Sequence, residues 1–134
     1  MKSARWVVLV AATVLGACVS SDSNVEGDVT ANLQDDSITL SQQSVSSGAL
    51  TIAVENDGSA VHEIEVFAGD RTDLPVSNSV ADTTGLVLID EVEDILPGST
   101  LALDVDLDPG EYVIICNLPG HYQLGMVTKL TVTD

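Results

Sequence analysis

A chain of 134 residues with 21 acidic side chains against four lysines and arginines carries a formal charge of −17. Such a surface repels phosphate, which excludes nucleic acid, and it equally repels anionic lipid headgroups. The length is that of one domain, and beyond residue 18 there is a single cysteine, so cross-links do not supply its stability.

The opening segment reads as a targeting signal over 1–17. Lys2 and Arg5 supply the positive start, Trp6 to Leu15 is a nearly continuous apolar run, and small residues follow. A membrane-spanning helix needs roughly 20 apolar residues, and here Ser20, Ser21, Asp22, Ser23 and Asn24 end the run too soon. Leu15-Gly16-Ala17-Cys18 resembles a lipobox, where bacterial lipoproteins are diacylated on the cysteine and cleaved just before it. The plainer alternative is an ordinary secretory signal cut after Ala17. A free thiol exposed at a cleavage point in an oxidising compartment is a liability, which favours lipidation of Cys18. Residues 18–27 are then a lipidated, polar tether, and 28–134 form the domain. That mature chain keeps only Arg71 and Lys129 against all 21 acidic residues, a formal charge of −19. Two readings of the charge stand side by side: steering of a basic partner, or adaptation to a salty habitat.

No stretch of the domain sustains a helical period, whereas period-two alternation recurs between turn signals, the pattern of an all-β Greek-key sandwich or barrel of about eight strands. Val29 to Leu33 and Ile38 to Leu40 are weak strand candidates. Leu50, Ile52 and Val54 share one strand face, and Asn56-Asp57-Gly58 supplies a turn. The next strand puts His62 on the same side as Ile64 and Val66, with Val61, Glu63 and Glu65 opposite, so the imidazole points toward the core. Residues 68–86, rich in Gly, Asp, Thr, Ser and Asn, read as a long connection with a short helical turn near Val80. Leu86 to Val92 is a strand and Pro97-Gly98 a turn. Leu101, Leu103, Val105 and Leu107 then alternate with Ala102, Asp104, Asp106 and Asp108 in the cleanest half-buried strand of the chain. After Asp108-Pro109-Gly110, Tyr112 to Cys116 and Val127 to Thr133 complete the set. Tyr112 is either a corner tyrosine bonded to nearby backbone or a packed aromatic.

The soft-donor inventory beyond residue 18 is one cysteine, two histidines and one methionine, and three of these four lie in Cys116-Asn-Leu-Pro-Gly-His121-Tyr-Gln-Leu-Gly-Met126. With His62, the set is a thiolate, two imidazoles and a weak thioether, which suits one copper ion cycling between Cu(I) and Cu(II). Taken singly, Cys116 reads as a packed thiol, His62 as a core histidine and Met126 as filler; the joint spacing is what speaks for a metal. Zinc with an open position is the competing ion, and the methionine argues against it.

Tyr112-Val-Ile-Ile-Cys116, the Pro-Gly before His121 and the following Gly125-Met126 resemble the C-terminal copper loop of the cupredoxins, the small type 1 blue copper proteins. Four residues separate Cys116 from His121 and four separate His121 from Met126, a length similar to sulfocyanin, rusticyanin and auracyanin rather than plastocyanin. The resemblance implies one bound copper ion held by His62, Cys116, His121 and Met126. It also implies that Asn117 ties the loop to a neighbouring strand. Glu63 stands where many cupredoxins carry asparagine, which puts the hydrogen bonding near the Cys116 sulfur in question. Leu118, Pro119, Tyr122 and Leu124 are implied as an apolar docking patch around His121, the plain alternative being loop packing.

The function so implied is one-electron transfer between redox proteins such as a cytochrome or a membrane oxidase, by a monomer exported and lipid-anchored outside the cytoplasmic membrane or in the periplasm. It is not an enzyme: copper nitrite reductases and multicopper oxidases need further domains and histidine-rich centres that two histidines cannot build, and a dinuclear centre needs a second loop cysteine. A copper carrier or storage lipoprotein is the alternative, for which Met-rich or His-rich segments are expected.

Overall fold

The computed structural model describes residues 25–134. The expected signal over 1–17 and the lipidation site Cys18 lie outside these residues, as does most of the tether. No described helix is long and apolar enough to cross a membrane.

Eleven strands and one helical turn are formed by the described residues. They are β1 (Val29–Gln34), β2 (Ser37–Leu40), β3 (Ser44–Ser46), β4 (Gly48–Asn56), β5 (His62–Ala68), β6 (Val76–Ser77), β7 (Val80–Ala81), β8 (Val87–Ile95), β9 (Thr100–Leu107), β10 (Gly110–Ile115), α1 (His121–Leu124) and β11 (Val127–Thr133). A four-stranded sheet runs β2-β1-β4-β9 and a five-stranded sheet β3-β11-β10-β5-β8, with β6 and β7 a separate small hairpin. This is the expected all-β sandwich. The alternation in β9 has the predicted consequence: Leu103, Val105 and Leu107 are buried while Asp104 and Asp106 face water, and Leu103 and Val105 stand opposite Ile52 and Leu50 of β4.

The strand β10 reads as a continuous apolar run because it is covered on both faces. Ile114 and Cys116 point into the main core between the sheets, with Ile64, Val66, Met126 and Leu130. Val113 and Ile115 point the other way, into a second cluster with Phe67, Leu74, Ala81 and Tyr122. The segment 68–86 therefore lies over the outer face of the five-stranded sheet. It contains no helical turn near Val80. Val80 instead begins β7, paired with β6, and Asn78 and Ser79 between them take φ of 52° and 68°, the positive pair that a two-residue hairpin turn requires. Tyr112 is a corner tyrosine: its hydroxyl donates to the Asp108 carbonyl at 2.8 Å.

Alternation in β5 leaves Glu63 and Glu65 half-buried on the outer side. Among the described residues, Oε2 of Glu65 is the buried side-chain oxygen without a hydrogen-bond partner. Burial, and then the charges of Glu63, Glu91 and Glu93, push its carboxyl up to about 7. Between the ordinary value of 4.5 and about 7 the folded chain holds a proton that the unfolded chain has released, so stability falls as pH rises through this window. Glu65→Gln should match the parent in urea midpoint at pH 4 and exceed it at pH 8. Equal midpoints at pH 8 would mean that the ionised carboxylate costs the fold nothing.

Candidate metal centre

Two ladders bring the donor-bearing segments to one pole of the sandwich. Antiparallel pairing of β10 with β5 sets Ile115 opposite Glu65, which carries the next residue, Cys116, toward the end of β5 where His62 begins the strand. Pairing with β11 sets Ile115 opposite Val127, and the Cys116 amide donates to the Met126 carbonyl at 3.1 Å. Between them the chain turns once as α1, whose first residue is His121. Its amide donates to the Leu118 carbonyl at 2.9 Å, and its own carbonyl accepts from Met126 at 3.3 Å.

Nδ1 of His62 lies 3.1 Å from Nδ1 of His121. Cys116 Sγ is 3.9 Å from the first nitrogen and 3.4 Å from the second. A first-row ion held at about 2.0 Å from nitrogen and about 2.3 Å from sulfur in a trigonal plane separates such donors by about 3.5 to 3.7 Å, so small shifts of about 0.4 Å or less bring the three atoms onto one ion. They form the cluster of potential metal donors found among the described residues, and all its donor atoms lie within 4.8 Å of one another. His62, Cys116 and Met126 are fully buried, and Met126 packs in the same core cluster as Cys116.

Burial pushes the Cys116 thiol up, an effect that bonding to the Glu63 and Leu118 backbone opposes and the Glu63 and Glu65 charges reinforce. A thiolate there needs a cation. Burial, then the neighbouring His62, holds His121 below its ordinary value, which keeps its imidazole in the neutral form that ligates.

The segment 68–86 braces this loop. Asn117 Oδ1 accepts from the Ala81 amide at 2.7 Å and its Nδ2 donates to the Ala81 carbonyl at 3.3 Å, so Asn117 is bound to β7. The Gly120 amide donates to Ser79 at 2.7 Å. Glu63 Oε1 accepts from the Asn117 amide at 3.2 Å, a carboxylate doing what a side-chain amide oxygen would do there. Of the four residues expected around His121, Pro119 and Leu124 are exposed, Leu124 by 63%. Leu118 is half-buried and packs against the core. Tyr122 does not belong to an outer patch: it is only 8% exposed, because its hydroxyl donates to the Thr72 carbonyl and accepts from the Leu74 amide at 2.8 Å. Val61 and Leu96, the latter 58% exposed, flank the paired His62 and Ile95 and lie at the same end of the sheet.

Sequence reading missed Asp35, in the turn between β1 and β2. Its Oδ1 lies 3.2 Å from Nε2 of His62, on the opposite side of the ring from the other donors. Hydrogen bonds from the Ser59 hydroxyl and from the Ala60 and Ser59 amides hold its carboxyl well below the usual carboxylate range. An aspartate in a tight turn has so ordinary an explanation that no signal in the sequence singles it out.

No family model matches the sequence, and no curated protein does either. Solved structures do match. Auracyanin A, a "blue" copper protein from Chloroflexus aurantiacus, superposes with a TM-score of 0.57 at 20% identity over 78% of this chain and 96% of that one. Reduced rusticyanin gives 0.58 at 15% identity over 78% and 75%. The chain has the cupredoxin fold. A multi-copper oxidase from Pediococcus acidilactici also superposes, with a TM-score of 0.50 at 15% identity, but this chain covers 31% of that protein.

Tyr122→Phe should cost about 1–3 kcal/mol of unfolding free energy in urea titration, because the buried Leu74 amide loses its acceptor. A loss near zero would show that the Leu74 amide finds another partner.

Proposed function

We propose that this cupredoxin-fold protein is a mononuclear type 1 blue copper protein, carrying single electrons between exported or membrane-bound redox partners. The observation that carries this reading is the convergence of two Nδ1 atoms and one buried Sγ within 4.8 Å, beside a fully buried methionine. That donor set is the one that selects copper in a trigonal site with a weak axial thioether. His62, Cys116, His121 and Met126 hold the ion, which when bound supplies a one-electron Cu(II)/Cu(I) couple. The chain's own part is to keep these side chains still. Cys116 and Met126 sit just beyond the facing ends of the adjacent paired strands β10 and β11, His62 begins the strand at the other side of β10, and the loop between is tied to β7. Donors fixed in this way favour a geometry tolerable to both oxidation states, which lowers the reorganisation that accompanies electron transfer.

An apolar rim of Pro119, Leu124, Val61 and Leu96 beside a partly exposed His121 supports docking at this pole, on a body whose acidity steers a basic partner such as a cytochrome or a membrane oxidase. Non-enzymatic action is supported by the inventory: two histidines in the whole chain are both used here, leaving none for the further centres of an oxidase. A carrier or storage role fits less well, since the donors form one compact set in which only His121 reaches the surface. Export as a lipoprotein anchored through Cys18 completes the reading. It rests on the sequence of 1–18.

Copper-loaded protein should show an intense thiolate-to-copper charge-transfer band in the visible, abolished in Cys116→Ser; a colourless, redox-silent complex would favour zinc. Met126→Leu should retain the band and raise the potential, on the order of a tenfold shift in relative Cu(I) and Cu(II) affinity or about 59 mV, because Met126 would supply a donor whose loss disfavours the more highly charged Cu(II). An unchanged potential would remove Met126 from the ligand set. Cys18→Ala should release the protein from membranes into the soluble fraction, and continued membrane association would contradict the lipid anchor.

A further inference from the structure

We infer that Asp35 is a positioning residue for the metal centre: its carboxylate clamps His62 from behind, fixes which ring nitrogen is free to ligate, and places a negative charge one imidazole away from the ion. This rests on the copper reading above, and the geometry behind it is independent of any ion. His62 presents Nδ1 to Cys116 and His121 and Nε2 to Asp35 Oδ1 at 3.2 Å. A carboxylate only accepts hydrogen bonds, so Nε2 carries the ring proton and the lone pair of the neutral ring falls on Nδ1, where the other donors converge. Carboxylate–histidine–metal arrangements of this kind orient the ring and raise its basicity as a ligand.

The clamp is built before His62 enters it. Oδ1 of Asp35 accepts from the Ser59 amide at 2.8 Å and the Ala60 amide at 3.0 Å, and Oδ2 accepts from the Ser59 hydroxyl at 2.6 Å. These donors lie in the turn leading into β5, which is itself anchored. Buried Asn56 donates to the Ala60 and Ile95 carbonyls, both at 2.8 Å, and the Asp57 amide donates to Leu33 of β1 at 2.9 Å. Gly58 is required for the approach: a Cβ there would meet Asp35 Oδ1 and would lie 2.8 Å from His62 Nε2. The neighbouring Asp36 carbonyl would lie 2.6 Å from a Cβ at Gly125, next to Met126. One turn of the four-stranded sheet thus touches both segments that bring donors to the centre.

The decisive comparison is Asp35→Asn against Ser59→Ala in the copper-loaded full chain. Asparagine keeps the shape and removes the charge, whereas Ser59→Ala removes a turn bond and leaves the His62 contact. With Asp35→Asn, Cu(II) affinity relative to Cu(I) should fall about tenfold, read as a rise in potential of about 59 mV, with the visible band kept. Ser59→Ala should leave the potential close to that of the parent. An unshifted potential in Asp35→Asn, or an equal shift in both variants, would overturn the inference. A second readout needs neither a variant nor copper: ¹⁵N shifts of His62 in the metal-free parent should show the proton on Nε2, and a proton on Nδ1 overturns the clamp. A colourless parent would overturn the copper reading instead, while the tautomer would still decide the role of Asp35.

Discussion

The metal centre depends on a single strand, β10, being paired on both edges and covered on both faces. Its ladders with β5 and β11 decide that Cys116 emerges between His62, which begins β5, and Met126, which leads into β11. Its two buried faces decide that it cannot slide, because a one-residue slip would exchange Val113 and Ile115 with Ile114 and Cys116 between two separate apolar clusters. Register and ligand placement are therefore one constraint. The core that stabilises the fold is also what sets the donor spacing.

That constraint explains which parts of the protein were legible in the sequence. Where one face is buried and the other wet, as in β9 and β5, alternation reports the strand and its inward side, and the inward side of β5 is where His62 was expected and found. The donor cluster was legible for a different reason, the scarcity of other sulfur and imidazole groups in the chain. Segment 68–86 was not legible because its order comes from outside itself. Leu74 and Ala81 are buried against Phe67, Val113 and Ile115, contacts that leave no period in so short and polar a stretch. The misplacement of Tyr122 follows from the same gap: the group that buries it, the backbone of Thr72 and Leu74, belongs to the part of the chain whose path was unread.

Electrostatics around the centre divide into two sides. On the outer side of β5, Glu63 and Glu65 are half-buried and crowded by Glu91 and Glu93, so burial and mutual repulsion raise their carboxyls. Behind His62, Asp35 is lowered by the donors that surround it. Carboxylates thus supply a reluctant charge on one side and a committed one on the other: burial and like charge dominate at Glu63 and Glu65, and received hydrogen bonds dominate at Asp35. Only the committed charge is in line with a ligand.

A centre of the kind proposed above must resist movement of its donors when the charge at their midpoint changes by one unit. Resistance to that movement cannot come from the donors themselves. It comes from what holds the far side of each: Asp35 behind His62, the Met126 carbonyl on the Cys116 amide, Ala81 on Asn117, and Ser79 on Gly120. These partners belong to the turn of the first sheet, to the residue that leads into β11 and to the outer hairpin, and the first and last of these are distant from the loop in sequence. Preorganisation in this protein is therefore a property of the whole sandwich pole, and a change in any one of the three supports should reach the centre through a hydrogen bond of known identity.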